Sequence, residues 1–341
     1  MKKIIRSSFI LTLLAVSVLS GCKKDETDPQ TNTIPTNLKQ NDNTGSAEVD
    51  EAISNVNDVI SNQIGGGGAN ARIAAYALPC GIVKFDSTES SGKKTYTLQF
   101  GDQNKCGYKK KSGDISFKLV SGTHFNDIDA QFSITFNNYT VESNATGQSV
   151  TVNGTITVTN LTGGYIWQVV IPTDNTLHKD AVVHRVRGKF MVTHANGAVR
   201  ERSYFQNRTW SSTSGWAGLR LAIAGDTTAT LGANSYSNVY ETGKTLDGNF
   251  DYVSNLGENF LWSNCGATWA GPYVLVKGKA RANVNIPAVT PAYFDVQAGY
   301  KYSTSNLTAT PTTDANLCEA NAYKITIEFG SYLKSEQYQL Y

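Results

Sequence analysis

The sequence predicts an all-β fold, an antiparallel β-sandwich or a long layered sheet, preceded by a disordered tether and one amphipathic helix. Three observations carry this. From about residue 73 onward, apolar and polar residues alternate in short runs, the period-two mark of half-buried strands. Turn-forming Gly, Asn and Asp residues separate the runs. The one sustained helical spacing lies ahead of them, and none survives past residue 70.

The chain opens with Lys2, Lys3 and Arg6, then a short apolar run from Phe9 to Leu19. A bilayer span needs about 20 apolar residues, so residues 1–21 read as a secretory signal peptide. Leu19-Ser20-Gly21-Cys22 forms a lipobox, which makes Cys22 the expected acylated N-terminus of the mature chain. Two or more acyl chains hold a protein stably on a bilayer, so the expected partner of this end is a membrane surface. No Asp follows Cys22, which directs the expectation to the outer membrane, and to its outer surface rather than the periplasmic side.

Residues 22–45 are polar and charged and read as a disordered tether. Val49, Ile53, Val56, Ile60 and Ile64 then recur at spacings of 4, 3, 4 and 4, one stripe of a helix over 46–64. Ser46 is its expected N-cap, and Asp50 and Glu51 suit its positive end. Gly65 to Gly68 begin a hinge over 65–72. The β domain follows over 73–341, with Pro172 to Asp180 as a weak boundary between subdomains 73–172 and 181–341. Its strands include Lys94–Phe100, Ala130–Phe136, Ser149–Thr159, Val182–Val192, Val199–Trp210, Leu219–Ile223, Tyr273–Ala280, Phe294–Tyr302 and Tyr323–Phe329. Asn196-Gly197 is the clearest hairpin turn.

Lys plus Arg number 30 and Asp plus Glu 28, so the net charge is +2. Removing residues 1–21 takes away three positive charges and leaves 27 − 28 = −1. A neutral chain with 17% charged residues excludes a basic nucleic-acid binder and a coiled coil. There are five cysteines. Beyond Cys22, the remaining four (Cys80, Cys106, Cys265 and Cys318) suggest two disulfides in an exported protein, with the local pairs Cys80–Cys106 and Cys265–Cys318 preferred. The order cysteine, strand, strand, cysteine, strand occurs around both pairs, a weak internal echo.

No catalytic motif, metal set or cofactor fingerprint is present. His184 and His194 share a parity but would stand about 33 Å apart on one strand, and His184 reads as a sheet-surface residue. Asp127 and Asp129 would share one side of a strand, too few ligands for Ca²⁺. Four tryptophans, Trp210, Trp216, Trp262 and Trp269, fall close together, with Arg208 on the sheet face of Trp210. They are the candidate aromatic binding surface, able to stack on sugar rings or anchor a protein; the alternative is that they fill the core.

In order along the chain, Leu78-Pro79-Cys80-Gly81, Leu98-Gln99-Phe100-Gly101, Lys111-Ser112-Gly113-Asp114-Ile115, Ile134 to Tyr139, Asn153 to Asn160, Arg208-Thr209-Trp210, Val239-Tyr240-Glu241 and Asn316-Leu317-Cys318-Glu319 resemble an uncharacterised family of β-rich Bacteroidota outer-membrane or surface lipoproteins. The chain departs from it where relatives carry an acidic-Asn pair after the last cysteine; here Glu319 is followed by Ala320. The resemblance implies a lipid-anchored β structure at the cell envelope and no activity. Asp86-Ser87-Thr88 and Asp226-Thr227-Thr228 resemble the O-glycosylation sequon of that group.

Together these features point to a lipid-anchored, exported, non-catalytic β module of the envelope that binds a glycan or protein partner or is structural. The alternative is a surface glycan-degrading enzyme of sandwich fold, which requires two carboxylates about 5–9.5 Å apart across a cleft. A third expectation is a subunit of a larger envelope assembly, docked through the Ile/Val helix.

Overall fold

The structure, a computed structural model, describes residues 38–60, 78–90, 92–101, 109–144, 147–245, 250–266, 273–303, 305, 308–331 and 333–340. The leader, Cys22, Ile64 and the hinge 65–72 lie outside them.

The helix α1 spans Leu38–Val59. It begins before the expected Ser46 cap, within the stretch expected to be tether. Once residues 48–60 are held by packing, extending the helix towards the N-terminus adds one hydrogen bond per residue at little cost, so Ser46 does not stop it. The expected stripe is in place: Val49, Ile53 and Val56 are fully buried and Ile60 nearly so. Ala52 and Val59 are buried with them, as are Glu48, Glu51 and Asn57 on the polar side. The stripe is therefore covered by the chain's own sheet and is not open to a partner, which corrects the expectation of docking through it. Each such Val or Ile stabilises the fold by roughly 1.5–3 kcal/mol through burial.

All sixteen described strands belong to one antiparallel sheet. Strands β1 (Ile82–Ser90), β2 (Lys93–Phe100), β3 (Lys109–Ser121), β4 (Ala130–Ser143), β5 (Ser149–Asn160), β6 (Ala181–His194) and β7 (Val199–Ser212) pair each with the next. They are followed by β8 (Leu219–Gly225), β9 (Thr227–Leu231), β10 (Asn234–Thr245), β11 (Phe250–Asn264), β12 (Tyr273–Val284), β13 (Ala292–Ser303), β14 (Thr308–Pro311), β15 (Ala322–Phe329) and β16 (Leu333–Leu340). The place between β7 and β11 is filled twice. β8 pairs Gln206–Ser212 of β7 and Phe260–Ser263 of β11, whereas β10 pairs Arg202–Tyr204 and the first part of β11. Between the two the chain forms the β9–β10 hairpin, which starts beyond Asp226.

Alternation sets the two faces. On β4, Ala130, Phe132, Ile134 and Phe136 are buried, and then the parity changes so that Tyr139 and Val141 are buried. The change occurs at a bulge where Asn138 takes φ +51° and its N–H donates to Asn153 Oδ1. Opposite it stands Gly113, at φ +83°, where a Cβ would come within 2.1 Å of the Asn138 carbonyl oxygen. Only glycine fits that approach. The Asn196-Gly197 turn closes as expected, with Gly197 at φ +83° and its N–H donating to the His194 carbonyl.

The Pro172–Asp180 segment does not divide the sheet. β5 and β6, on either side of it, pair from Val150↔His194 through to Asn160↔His184. Residues on the way to β6, including Ile166 and Val169, pack with Val182, Trp210, Leu219, Leu221 and Ile223 in a second apolar cluster. The largest cluster joins α1 to Leu98, Ile115, Phe136, Tyr139, Val152, Phe190 and Tyr204 of β2 to β7. Cys265 and Cys318 form the expected disulfide, tying the end of β11 to the 3₁₀ turn before β15. Cys80 is also disulfide-bonded, and Cys106 lies outside the described residues. The cysteine–strand echo is imperfect, since β14 intervenes only in the second copy.

Truncating Ile53 to Ala will remove a fully buried helix-to-sheet contact. Its stability to urea should fall by about 2–5 kcal/mol with the m-value unchanged, the range for large-to-small core substitutions.

Candidate functional site

The tryptophans do not form the expected surface. The even-numbered residues of β7 from Arg200 to Trp210 are buried, so Trp210 lies on the inner face at 3% exposure. Trp216 and Trp262 are half-buried against the same cluster, and Trp269 lies outside the described residues. Arg208 is also buried and carries no surface stack. Its guanidinium pairs with Asp50 of α1 and donates through Nε and Nη2 to Gln206 Oε1, at 3.0 and 2.8 Å. The candidate aromatic surface is thus corrected to core for Trp210 and Arg208, because strand parity outweighs side-chain type.

His184 is corrected likewise, from sheet surface to buried inner face at 5% exposure, and His194 lies buried on the same face at 6%. Asp127 and Asp129 lie in the β3–β4 turn rather than on a strand, with Asp129 at φ +60°. The Asp127 carboxylate accepts from the N–H groups of His124 and Thr123, which holds it below the usual carboxylate range. No group of three metal-ligating side chains occurs among the described residues, and no described helix is long and apolar enough to cross a membrane.

Two constellations stand out instead. The first is an ionic network inside the fold. Lys109 Nζ reaches Glu48 at 2.7 Å and Glu51 at 3.0 Å, and Lys111, 2% exposed, pairs with Glu51. Across the helix, Asp50 meets Arg208. Beyond it, Arg202 Nη1 donates to Glu241 at 2.7 Å and to the Tyr252 hydroxyl at 3.1 Å, and Tyr252 donates to Glu241. Burial raises Glu48 and Asp50 above the usual carboxylate range despite Lys109 and Arg208 beside them. Burial pushes Glu51 the same way, but Lys111 and Lys109 outweigh it and hold Glu51 low. The Tyr139 hydroxyl is fully buried with no hydrogen-bond partner, and burial and the nearby Glu51 and Glu48 charges push it far up. Every charge here already has an opposite charge: the pairs with Lys109, Lys111 and Arg208 fasten α1 to β3 and β7, and the Arg202–Glu241 pair joins β7 to β10.

The second constellation lies on the outer face. Registered rows of polar side chains cross β1 to β5 and end in a cation on β6. One row is Thr88, Thr95, Lys118, Ser133, Thr157 and Arg187. The next runs from Thr97 through Ser116, Thr135 and Thr155 to Lys189. A shorter one is Gln131, Thr159 and Arg185. Neighbours in a row are about 4.8 Å apart, the strand spacing. Thr135 and Thr155 share a hydrogen bond at 3.1 Å. Beyond β6, Arg187 faces Phe205 and Arg185 faces Asn207.

Asp226 organises the cationic end. Its N–H donates to the carbonyls of Phe205 and Val239, so it is fixed where the β9–β10 hairpin leaves the sheet. Its carboxylate accepts from Arg187 Nε at 2.8 Å and Asn207 Nδ2 at 3.0 Å, and lies 3.2 Å from Arg185 Nε. Arg185, Arg187 and Lys189 keep side-chain exposures of 40%, 49% and 72%. The period-two sequence could have revealed this face, since Arg185, Arg187 and Lys189 share one parity against Val182, Val186 and Phe190 on the other. No family model matches the chain, and neither a curated protein nor a solved structure is similar to it.

Lys111→Met should cost about 3–5 kcal/mol in chemical denaturation by leaving a buried carboxylate short of its partner, and Glu51→Leu added to it should recover part of that loss. A second outcome concerns acid. Burial, then the Arg208 charge, lower His184 from 6.5 to about 4, so the folded state keeps it neutral where the unfolded chain protonates it. The unfolded state binds more protons between those values, so this contribution is complete above pH 6.5 and is lost as pH falls to 4. Relative to His184→Gln, the native chain should lose up to about 3 kcal/mol across that window in pH-dependent urea unfolding.

Proposed function

We propose that this chain is an exported, lipid-anchored, non-catalytic β module of the cell envelope. Cys22 carries the acyl chains at the outer membrane, and the outer sheet face meets a glycan or protein partner on the cell surface. The observation that carries this is the division of polar groups between the two faces. Inside, Lys109, Lys111 and Arg208 are matched to acids of the helix and fasten it, whereas the outer face of β1 to β7 sets hydroxyls, the cations of β6 and the ring of Phe205 in fixed register. A rigid sheet that displays half-exposed polar side chains suits recognition, because little side-chain order is lost on contact.

The helix supports the anchored arrangement. It begins within the sequence expected to be the tether, and its buried ion pairs join that end of the chain to the body of the sheet. A module fastened in this way is held at the membrane through its core. The lipobox, the even cysteine set beyond Cys22 and the disulfide Cys265–Cys318 all suit an exported address.

Metabolic labelling with an alkyne-bearing fatty acid tests the anchor in cells producing the chain. The native chain should take up label and sediment with membranes, and Cys22→Ala should do neither. Equal labelling of both, or of neither, would sink the lipid anchor.

A further inference from the structure

We infer that the outer face binds an extended acidic polysaccharide, lying across the strands with its carboxylates at the β6 cations. This rests on the proposal that the outer face is the contact surface, and it assigns the chemical class of the partner.

Charge is the first reason. Three successive outward positions of β6 are cations, and the acids in contact with them are Asp226 and Glu201. The patch therefore keeps one positive charge in excess. Asp226 binds Arg187 through Nε and Nη2, which leaves Nη1 of that guanidinium directed away from the pair. A planar guanidinium held in this way presents remaining donors to an incoming carboxylate without losing its own orientation.

Register is the second reason. Each cation ends a row of polar, mostly hydroxyl-bearing side chains at a constant strand spacing, so a polymer with repeating hydroxyls and carboxylates meets a repeating set of partners. Thr135 and Thr155 lie mid-row, and Thr157 stands directly beside Arg187. The third reason is Phe205, paired across the ladder with Arg187 and half-buried on the same face. An aromatic ring beside a cation offers the apolar face of an acidic sugar one surface and its carboxylate the other. Asp226 is a positioning residue in this arrangement.

Affinity electrophoresis of the full-length chain in detergent tests this, in native gels containing polygalacturonate or neutral dextran. Polygalacturonate should retard the native chain, dextran should not, and added salt should weaken the effect. Arg185→Gln with Arg187→Gln should weaken retardation at least ~10-fold, since both charge-assisted forks are lost. The double Lys variant at these positions keeps the charge and guards against a folding artefact; it should bind at an intermediate level. Thr155→Trp, which places bulk across the rows, should also weaken binding. Equal retardation by dextran, or a double Gln variant that binds as well as native, overturns the acidic assignment. If Thr155→Trp still blocks binding in that case, the outer face stands as the contact surface. Polygalacturonate binding that none of these variants alters would overturn both. Absence of binding to polygalacturonate, with or without a protein partner at the face, overturns the acidic polysaccharide.

Discussion

The structure depends on burying a helix that carries charge on its covered sides. Glu48 and Glu51 of α1 are almost out of contact with water, and an unpaired buried carboxylate costs several kcal/mol. The sheet meets that demand from distant strands: Lys109 and Lys111 of β3 on one side and Arg208 of β7 on the other. Those strands must therefore keep cations on the inner face, against the usual preference of Lys and Arg for water. The helix in turn must sit at one rotation and one depth, because its apolar stripe and its three acids have to be satisfied together.

This constraint organises the rest. An apolar helix stripe slides with modest loss, whereas an ion pair at hydrogen-bond distance does not. Fastening α1 at both flanks sets the relative positions of β3 and β7, and the ladders from β3 through β7 hold that spacing. With the inner face occupied, the outer face is left regular, and its rows of polar side chains run in register to β6. The same period-two rule that places Arg208 inside places Arg187 outside. Asp226 belongs to this logic as well, since it fixes both outer guanidiniums at the point where the chain leaves the sheet.

Much of the architecture was legible in the residues. The stripe of Val49, Ile53, Val56 and Ile60 announced a packed helix, and alternation placed β2, β5 to β8, β12, β13 and β15 close to their observed bounds, while β4, expected to end at Phe136, runs on past its bulge to Ser143. Other features were hidden, for identifiable reasons. A tryptophan cluster suggests a surface only until strand parity is known, and Trp210 shares the parity of Tyr204. Arg208 and Asp50 are 158 positions apart, and Lys111 and Glu51 are 60 apart, so no local spacing links them. Nothing in the local sequence announced the burial of Glu48 and Glu51, because single-sequence polarity carries no record of a distant cation.

The sequence by itself determined the period of each segment and the glycines that permit its turns and bulges. These follow from short-range sterics and from the alternation of side chains along an extended backbone, which act within a few residues. The tertiary structure alone decided which polar residues face inward, where the helix begins, and that the strands form one sheet across the Pro172–Asp180 segment. Those outcomes depend on electrostatic and packing partners brought together from far apart in the chain, and their energies exist only once the sheet has closed around the helix.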